Sequence, residues 1–208
     1  MGARVLAIDC ATEACSAALF EDGKLLDRRY EVIGRGHAER LVPMIAELPD
    51  RGRAGRILVS LGPGSFTGVR IGLAAARALG LAWGAEVLGY PTLALVAAMA
   101  RRERPGPLTV CMTGGHGEWF VQDFAPDGLP SGPLASLAPG VAAARGAHPL
   151  IAGSQAEPLR GLIGQDTKAL ALLPDAGEAL LLPTELLTLD LAPLYGRPPD
   201  ARLPGVGR

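Results

Sequence analysis

Aromatic side chains are scarce in this chain, making up 4% of its 208 residues, although 49% of the residues are hydrophobic. The core must therefore be built mainly from Ala, Leu, Val and Ile. This hydrophobic content excludes intrinsic disorder, and the 28 glycines show no three-residue period of the collagen kind. The length is sufficient for one large domain or two small ones.

Basic and acidic residues are nearly equal in number, which gives a formal net charge of −1. Domains that bind nucleic acid unaided are usually strongly basic, so this balance argues against direct binding to RNA or DNA. The hydrophobic stretch 71–100 is broken by Arg77, Glu86 and Pro91 into pieces shorter than the roughly 20 apolar residues that a membrane span needs. We expect buried helices and a strand there, and no membrane association.

Cysteine is rare, and Cys10, Cys15 and Cys111 show no C-x-x-C spacing. An odd number of widely separated cysteines is typical of reduced thiols rather than of a disulfide framework. The apolar run after Arg4 is too short for a secretory signal. We therefore expect a cytoplasmic protein.

Histidine is equally rare, and His37, His116 and His148 lack the spacing of a metal site. The chain has neither a Walker A lysine motif nor a serine nucleophile elbow. His116 lies in a Gly-rich loop and is read as a loop residue, with a catalytic role as the alternative. The residues thus predict no metal, and no catalytic side chain is assigned.

Apolar periodicity predicts the order β-β-β-α-β-α for residues 4–83, with strands near 4–10, 15–20, 25–32 and 57–61 and helices at 37–48 and 67–83. A strand near 86–89 and a helix at 92–102 complete the first half. This order predicts an α/β protein of the actin-like ATPase (ribonuclease-H-like) fold, in which each of two lobes has a mixed β-sheet covered by helices. The Pro-rich break at 101–107 divides the chain into an amino-terminal lobe, 1–105, and a smaller second lobe, 106–208, with an extended tail.

In the second lobe the same reasoning predicts strands at 108–112, 118–124 and 149–152, a helix at 155–163, and a helical stretch at 175–190 that is interrupted at Pro183. Residues 129–148 are Gly/Pro/Ala-rich and poorly periodic, so no element is assigned to them.

The segment Asp9–Thr12 closes the first predicted strand. In ATPases of this fold an acid at this place opens a hairpin whose backbone amides hold phosphate, but Ala11 stands here where glycine would allow the closest approach. The alternative is a strand end with a turn-forming Asp.

The segment Gly62–Gly72 (GPGSFTGVRIG) is the most specific motif. Ser65 or Thr67 is suited to cap the following helix, whose first amides favour an anion. Arg70 lies at the unfavourable end of the helix dipole and is therefore expected to meet an acid, a phosphate or a partner. A structural turn with a surface arginine is the alternative.

Small residues recur every four positions along this helix, at Gly68, Gly72, Ala76 and Gly80. Each helical glycine costs about 1 kcal/mol relative to Ala, so another backbone is expected to approach the stripe closely. That backbone belongs either to the same chain or to a partner protein.

Four segments resemble the TsaB family, also called YeaZ: Ile8–Leu19, His37–Met44, Gly62–Gly72 and Pro193–Ala201. The resemblance implies a non-catalytic paralogue of TsaD, the threonylcarbamoyl transferase that modifies the adenosine next to the anticodon of tRNA. It implies a heterodimer with a TsaD-like protein, a TsaE-like ATPase as a further partner, a homodimer when alone, and contact with tRNA only through the complex. It implies no cofactor bound by this chain alone, with ATP or ADP held at the level of the complex.

The resemblance also implies a partner interface on the helices that begin near residues 37 and 67. Its expected residues are His37, Leu41, Met44, Ser65, Phe66, Thr67, Gly68, Arg70, Ile71, Gly72, Ala75, Ala76, Leu79 and Gly80. This chain departs from the family at Thr113–Gly115, where Asp-Ala-Arg is usual, so the role of that turn is open. The alternative function is an ATP-dependent phosphotransferase or ATPase of the actin-like fold. A metallopeptidase has no ligand set to support it.

Overall fold

The computed structural model describes residues 3–164 and 166–196. Its amino-terminal sheet has the strand order β3-β2-β1-β4-β5. The strands β1, β2 and β3 form an antiparallel meander, and β4 and β5 run parallel to β1. The five strands are β1 Arg4–Asp9, β2 Ala14–Glu21, β3 Lys24–Val32, β4 Arg56–Ser60 and β5 Glu86–Tyr90.

Helices cover both faces of this sheet, because successive side chains of a strand point to opposite sides. Leu6 and Ile8 of β1 pack in one cluster with the helices α1 and α2, whereas Ala7 packs in another with α3. The helices are α1 His37–Ala46, α2 Phe66–Trp83 and α3 Thr92–Glu103.

The second sheet has the order β10-β9-β6-β7-β8, with β6, β7 and β8 antiparallel and β9 and β10 parallel to β6. Substituting β6 for β1 reproduces the order of the first sheet, so the two lobes share one topology. The predicted actin-like fold is thereby confirmed. The elements are β6 Leu108–Thr113, β7 Trp119–Phe124, β8 Ala135–Leu137, α4 Pro139–Arg145, β9 Leu150–Ala152, α5 Ala156–Ile163 and β10 Lys168–Leu170.

Three short elements were absent from the sequence prediction: β8, α4 and β10. The two strands have only three residues each, too few to show a period, and pairing with a neighbouring strand defines them. The helical stretch predicted at 175–190 forms two short 3-10 segments rather than α-helix, Ala176–Leu181 and Thr184–Leu186, and the predicted interruption at Pro183 is confirmed.

The largest core cluster contains residues of both sheets. Leu58 and Tyr90 from the first sheet and Val110 and Phe124 from the second are buried in it, together with most of α3. The division of the chain after residue 105 stays a prediction. Among the described residues, no helix combines the length and apolar character that crossing a bilayer requires.

The segment 188–196 returns to the first sheet. Gly89 and Thr188 exchange backbone hydrogen bonds of 2.8 and 3.0 Å, and the Leu194 amide donates to the Leu61 carbonyl at 2.8 Å. Residues 193–196 form no helix or strand, and the remainder of the predicted extended tail lies outside the described residues.

Candidate functional site

The β1–β2 loop is held from two helices. The Ser65 amide, at the start of α2, donates to the Ala11 carbonyl oxygen at 2.7 Å. The His37 Nε2, at the start of α1, lies 2.9 Å from the Thr12 carbonyl oxygen. A carbonyl oxygen only accepts, so His37 Nε2 donates this bond. The loop is thus held by one residue from each of the two motifs that follow it in the sequence, His37–Met44 and Gly62–Gly72.

Glycine is required where α2 meets this loop. A Cβ atom at Gly64 would collide with the Ala11 carbonyl oxygen, and one at Gly68 with the Cys10 carbonyl oxygen. The Ser65 side chain accepts a hydrogen bond of 3.1 Å from the Gly68 amide, which confirms Ser65 as the helix cap. The Gly-rich motif therefore brings the helix start directly against the turn that follows β1.

The Asp9 carboxylate is buried in the core. Its Oδ1 accepts from the Ala11 amide at 2.9 Å, and its Oδ2 accepts from the Tyr90 hydroxyl at 3.1 Å. Burial raises the pKa of Asp9 to about 6. Asp9 is thus satisfied inside the protein, in support of the structural alternative to a phosphate loop.

A cleft of about 780 Å³ lies between the two sheets, within the usual size of a small-molecule site. The β1–β2 loop and the start of α2 form one wall, and the β6–β7 turn forms the other. Residues 194–196 close one side. The side chains that line it include Thr12, Phe66, Arg70, Thr113, Phe120 and Tyr195.

Arg70 finds its partners in aromatic residues. Its Nη2 donates to the Tyr195 hydroxyl at 2.5 Å, and its guanidinium lies 3.3 Å from the centre of the Phe66 ring. Gly196 packs directly against the Phe120 ring of β7, where a Cβ would collide. We expected Arg70 to meet an acid, a phosphate or a partner, and within the described residues the Tyr195 hydroxyl accepts its side-chain hydrogen bond. Tyr195 belongs to the motif Pro193–Ala201, but the sequence did not indicate that it lies at this site.

The Thr113–Gly115 segment forms the start of the β6–β7 turn. The Gly114 amide donates to the Glu118 carbonyl at 2.8 Å, which a Cβ at Gly114 would obstruct. The Thr113 amide donates to Ser154 Oγ at 2.9 Å, and Gln155 Nε2 donates to Thr113 Oγ1 at the same distance. The turn is therefore a fixed wall of the cleft.

The residues of the predicted interface separate into two groups. Seven are buried in this chain and lie beneath the surface: His37, Leu41, Met44, Gly68, Gly72, Ala76 and Gly80. The other seven are wholly or partly exposed: Ser65, Phe66, Thr67, Arg70, Ile71, Ala75 and Leu79.

The small-residue stripe of α2 faces the protein's own sheet. A Cβ at Gly72 would lie 3.7 Å from the Cys10 Cβ and from Val59, and one at Gly80 would meet Val87. Of the two alternatives for the neighbour of this stripe, the contacts favour the same chain: the Cys10 backbone lies against Gly68, and side chains of the sheet lie against Gly72 and Gly80.

The exposed sides of α1 and α2 carry apolar side chains beside the charged Glu39, Arg70 and Arg77. Val42, near the middle of α1, is 60% exposed. We call the apolar part of this surface the α1–α2 face, and its residues are Ala38, Val42, Pro43, Ala46, Ile71, Ala74, Ala75, Ala78 and Ala82. Exposed apolar patches of this kind mark interaction sites.

Within residues 3–164 and 166–196, no three His, Cys, Asp or Glu side chains come together as metal ligands. The geometry therefore offers a cleft and an apolar face as candidate sites.

Known proteins share both the sequence and the shape of this chain. The TsaB protein of Escherichia coli K12, of tRNA threonylcarbamoyladenosine biosynthesis, is 44% identical over 109 residues, which are 48% of this chain and 45% of that protein. YeaZ from Pseudomonas aeruginosa superposes with a TM-score of 0.76 at 28% identity, covering 93% of this chain and 99% of that one. A second structure from that organism, described as similar to peptidase YeaZ, is 32% identical with a TM-score of 0.74, covering 86% of this chain and 88% of that one.

The chain belongs to the TsaB (YeaZ) family. A family model described as TsaD, tRNA N6-adenosine threonylcarbamoyltransferase, matches residues 31–127, which include the TsaB motifs at His37 and Gly62. The chain spans slightly less than half the length of the curated TsaB relative that it matches.

Proposed function

We propose that this chain is a TsaB-type subunit of the machinery that makes threonylcarbamoyladenosine in tRNA, and that it is a non-catalytic scaffold for a TsaD-type paralogue. A TsaE-type ATPase would join the pair, and tRNA would be met only through the complex. The chain alone would bind no cofactor and would form a homodimer, with ATP or ADP held only in the complex. Membership of the TsaB family supports the pathway.

The α1–α2 face is the observation that carries the scaffold role. It is apolar, it consists mostly of alanine, and its helices are backed by a buried core. Small side chains allow a partner helix to approach closely, and the rigid backing means that little conformational entropy is lost on binding. A related helix pair of a TsaD-type protein, or of a second copy, would supply the complementary surface.

The position of Asp9 supports a non-catalytic role. In an ATPase of this fold the acid would face the phosphates, whereas here its oxygens are engaged by the Ala11 amide and Tyr90. The turn beside it is packed against Gly64 and Gly68, which brings α2 to within backbone contact of that loop.

The scaffold role predicts that Val42→Glu abolishes binding to a TsaD-type protein while the fold is kept. The introduced carboxylate would lose its water in the interface without gaining a hydrogen-bonding partner. We therefore expect the affinity for the TsaD-type protein to fall at least tenfold. Val141→Glu is the matched control, because Val141 is 55% exposed on α4 of the other lobe. Affinity is measured by calorimetry. Unchanged binding by a folded Val42→Glu variant would place the interface elsewhere.

The alternative, an ATP-dependent phosphotransferase or ATPase, is favoured by one observation, the cleft of about 780 Å³ between two hairpin turns. It predicts ATP binding by the isolated chain. Calorimetry with ATP and Mg²⁺ distinguishes the two proposals, since the scaffold role expects no heat of binding and micromolar affinity would establish the alternative.

A further inference from the structure

Cys10 and Cys15 are directly opposite each other across the first hairpin. The paired register of β1 and β2 ends at Asp9 and Ser16, and its continuation by one residue places Cys10 opposite Cys15. Their sulfur atoms are 3.6 Å apart, and both thiols are free. Opposed residues of an antiparallel pair have Cα atoms about 4.5–5.5 Å apart, which lies inside the range that a disulfide spans.

We propose that Cys10 and Cys15 are a modification site, at which peroxide converts the two thiols into an intrachain disulfide. The Cys15 thiolate attacks one oxygen of hydrogen peroxide, the O–O bond breaks, and Cys15 becomes a sulfenic acid with loss of hydroxide. The Cys10 sulfur then attacks the Cys15 sulfur, and the S–O bond breaks. Overall two thiols lose two electrons and two protons, and one peroxide becomes two waters.

The sulfur atoms of Cys10 and Cys15 are in hydrogen-bond contact, and either thiol can be the donor. With Cys10 as the donor, this bond stabilises a Cys15 thiolate, which lowers the pKa of Cys15 and raises the pKa of Cys10. In this arrangement Cys15 is the thiolate that attacks peroxide, and Cys10 is the thiol that resolves the sulfenic acid. Both cysteine side chains are buried, and Thr12 and Glu13, which lie between them in the sequence, line the cleft.

The third cysteine is an internal control. Cys111 is buried like the pair, but burial raises its pKa to about 12 and it has no thiol neighbour to resolve it. Burial alone would protect all three cysteines equally. A disulfide confined to residues 10 and 15 would therefore result from their pairing.

The disulfide would act on the contact between the loop and α2. The sulfur atoms must close from 3.6 Å to about 2.05 Å. The Cys10 carbonyl oxygen lies beneath Gly68, and the Cys10 Cβ lies beneath Gly72. Oxidation would thus shift the strand ends against which the start of α2 packs.

Peroxide treatment of the whole folded chain, followed by unfolding, alkylation and tryptic mapping, tests the proposal. Peptide Val5–Lys24 carries both cysteines. It is expected to lose two hydrogen atoms and to take no label until a dithiol reductant is added, whereas Cys111 takes its label throughout. Two labels on Val5–Lys24, sulfinic acids there, or a disulfide between chains would each overturn the proposal.

Variants give a second readout. Cys111→Ala is expected to form the disulfide as the wild type does, whereas Cys10→Ala and Cys15→Ala are expected not to lose the two hydrogens. Circular dichroism establishes that each variant is folded. If either variant at position 10 or 15 fails to fold, the mapping of the wild-type chain still decides.

Discussion

Asp9 shows how a single buried acid can be tolerated without a cation beside it. Its Oδ1 accepts a hydrogen bond from the Ala11 amide and its Oδ2 accepts one from the Tyr90 hydroxyl, and the Ser60 hydroxyl is a further hydrogen-bonding neighbour. These bonds lower the pKa of Asp9, but burial outweighs them and the pKa is raised to about 6. The hydroxyl of Tyr90 is itself fully buried, and its pKa is raised well above the ordinary value for the same reason.

This residue predicts a pH window of stability. Between the ordinary value of 3.8 and about 6, the unfolded chain releases the Asp9 proton and the folded chain keeps it, so stability falls as the pH rises. The difference between these two pKa values of Asp9 corresponds to roughly 3 kcal/mol in the free energy of unfolding. Between about pH 4 and pH 7, the free energy of unfolding of the wild type is expected to fall by about this much relative to that of Asp9→Asn, as measured by urea unfolding.

Asp127→Asn, at an exposed turn, is the matched control and is expected to follow the wild type. Parallel profiles for wild type and Asp9→Asn would contradict the burial argument.

The helix α2 shows that the same residue type has different roles along one stripe. At Gly68 the Cys10 carbonyl oxygen occupies the place of a Cβ, whereas at Gly72 the nearest atoms are 3.7 Å away, an ordinary contact distance. Glycine is thus required by close approach at the first position and is only compatible with the packing at the second.

Alanine substitution is expected to separate these roles. Gly72→Ala should raise the free energy of unfolding by up to about 1 kcal/mol, because Ala has the higher helix propensity. Gly68→Ala should lower it by about 1–3 kcal/mol, because the helix start must move. Urea unfolding measures both, and equal effects of the two substitutions would contradict the contacts described for α2.

At the scale of elements, the sequence predicted the first lobe well because its strands are long, apolar and bounded by turn signals such as Asp22-Gly23. The stripe on α2 correctly indicated a close backbone at Gly68, but at Gly72 and Gly80 the neighbours are side chains, and spacing alone does not identify the neighbour. The cysteine pair was missed for a related reason: a count of spacings along the chain does not show that β1 and β2 place residues 10 and 15 opposite each other.

In the molecule as a whole, the two sheets share their largest core cluster, in which α3 lies between residues of both. Folding one lobe alone would leave this shared apolar surface in water. The two lobes are therefore expected to unfold together.

The two tryptophans allow this to be measured, since Trp83 lies on α2 and Trp119 on β7. Trp119→Phe leaves a fluorescent reporter in the first lobe, and Trp83→Phe leaves one in the second. In each variant the urea transition by fluorescence is expected to coincide with that by far-ultraviolet circular dichroism. A fluorescence transition that precedes the other in one variant would show that the lobes unfold independently.

The pairing of Gly89 with Thr188, and of Leu61 with Leu194, has a consequence for the order of synthesis. On the ribosome, all five strands of the first sheet have been made once Tyr90 has been added, yet the β5 edge lacks this partner until residues 188–194 emerge. An uncovered strand edge is a template for pairing with other chains. The sheet that is made first is thus the one completed last, and the nascent chain carries an open edge while the whole second sheet is translated.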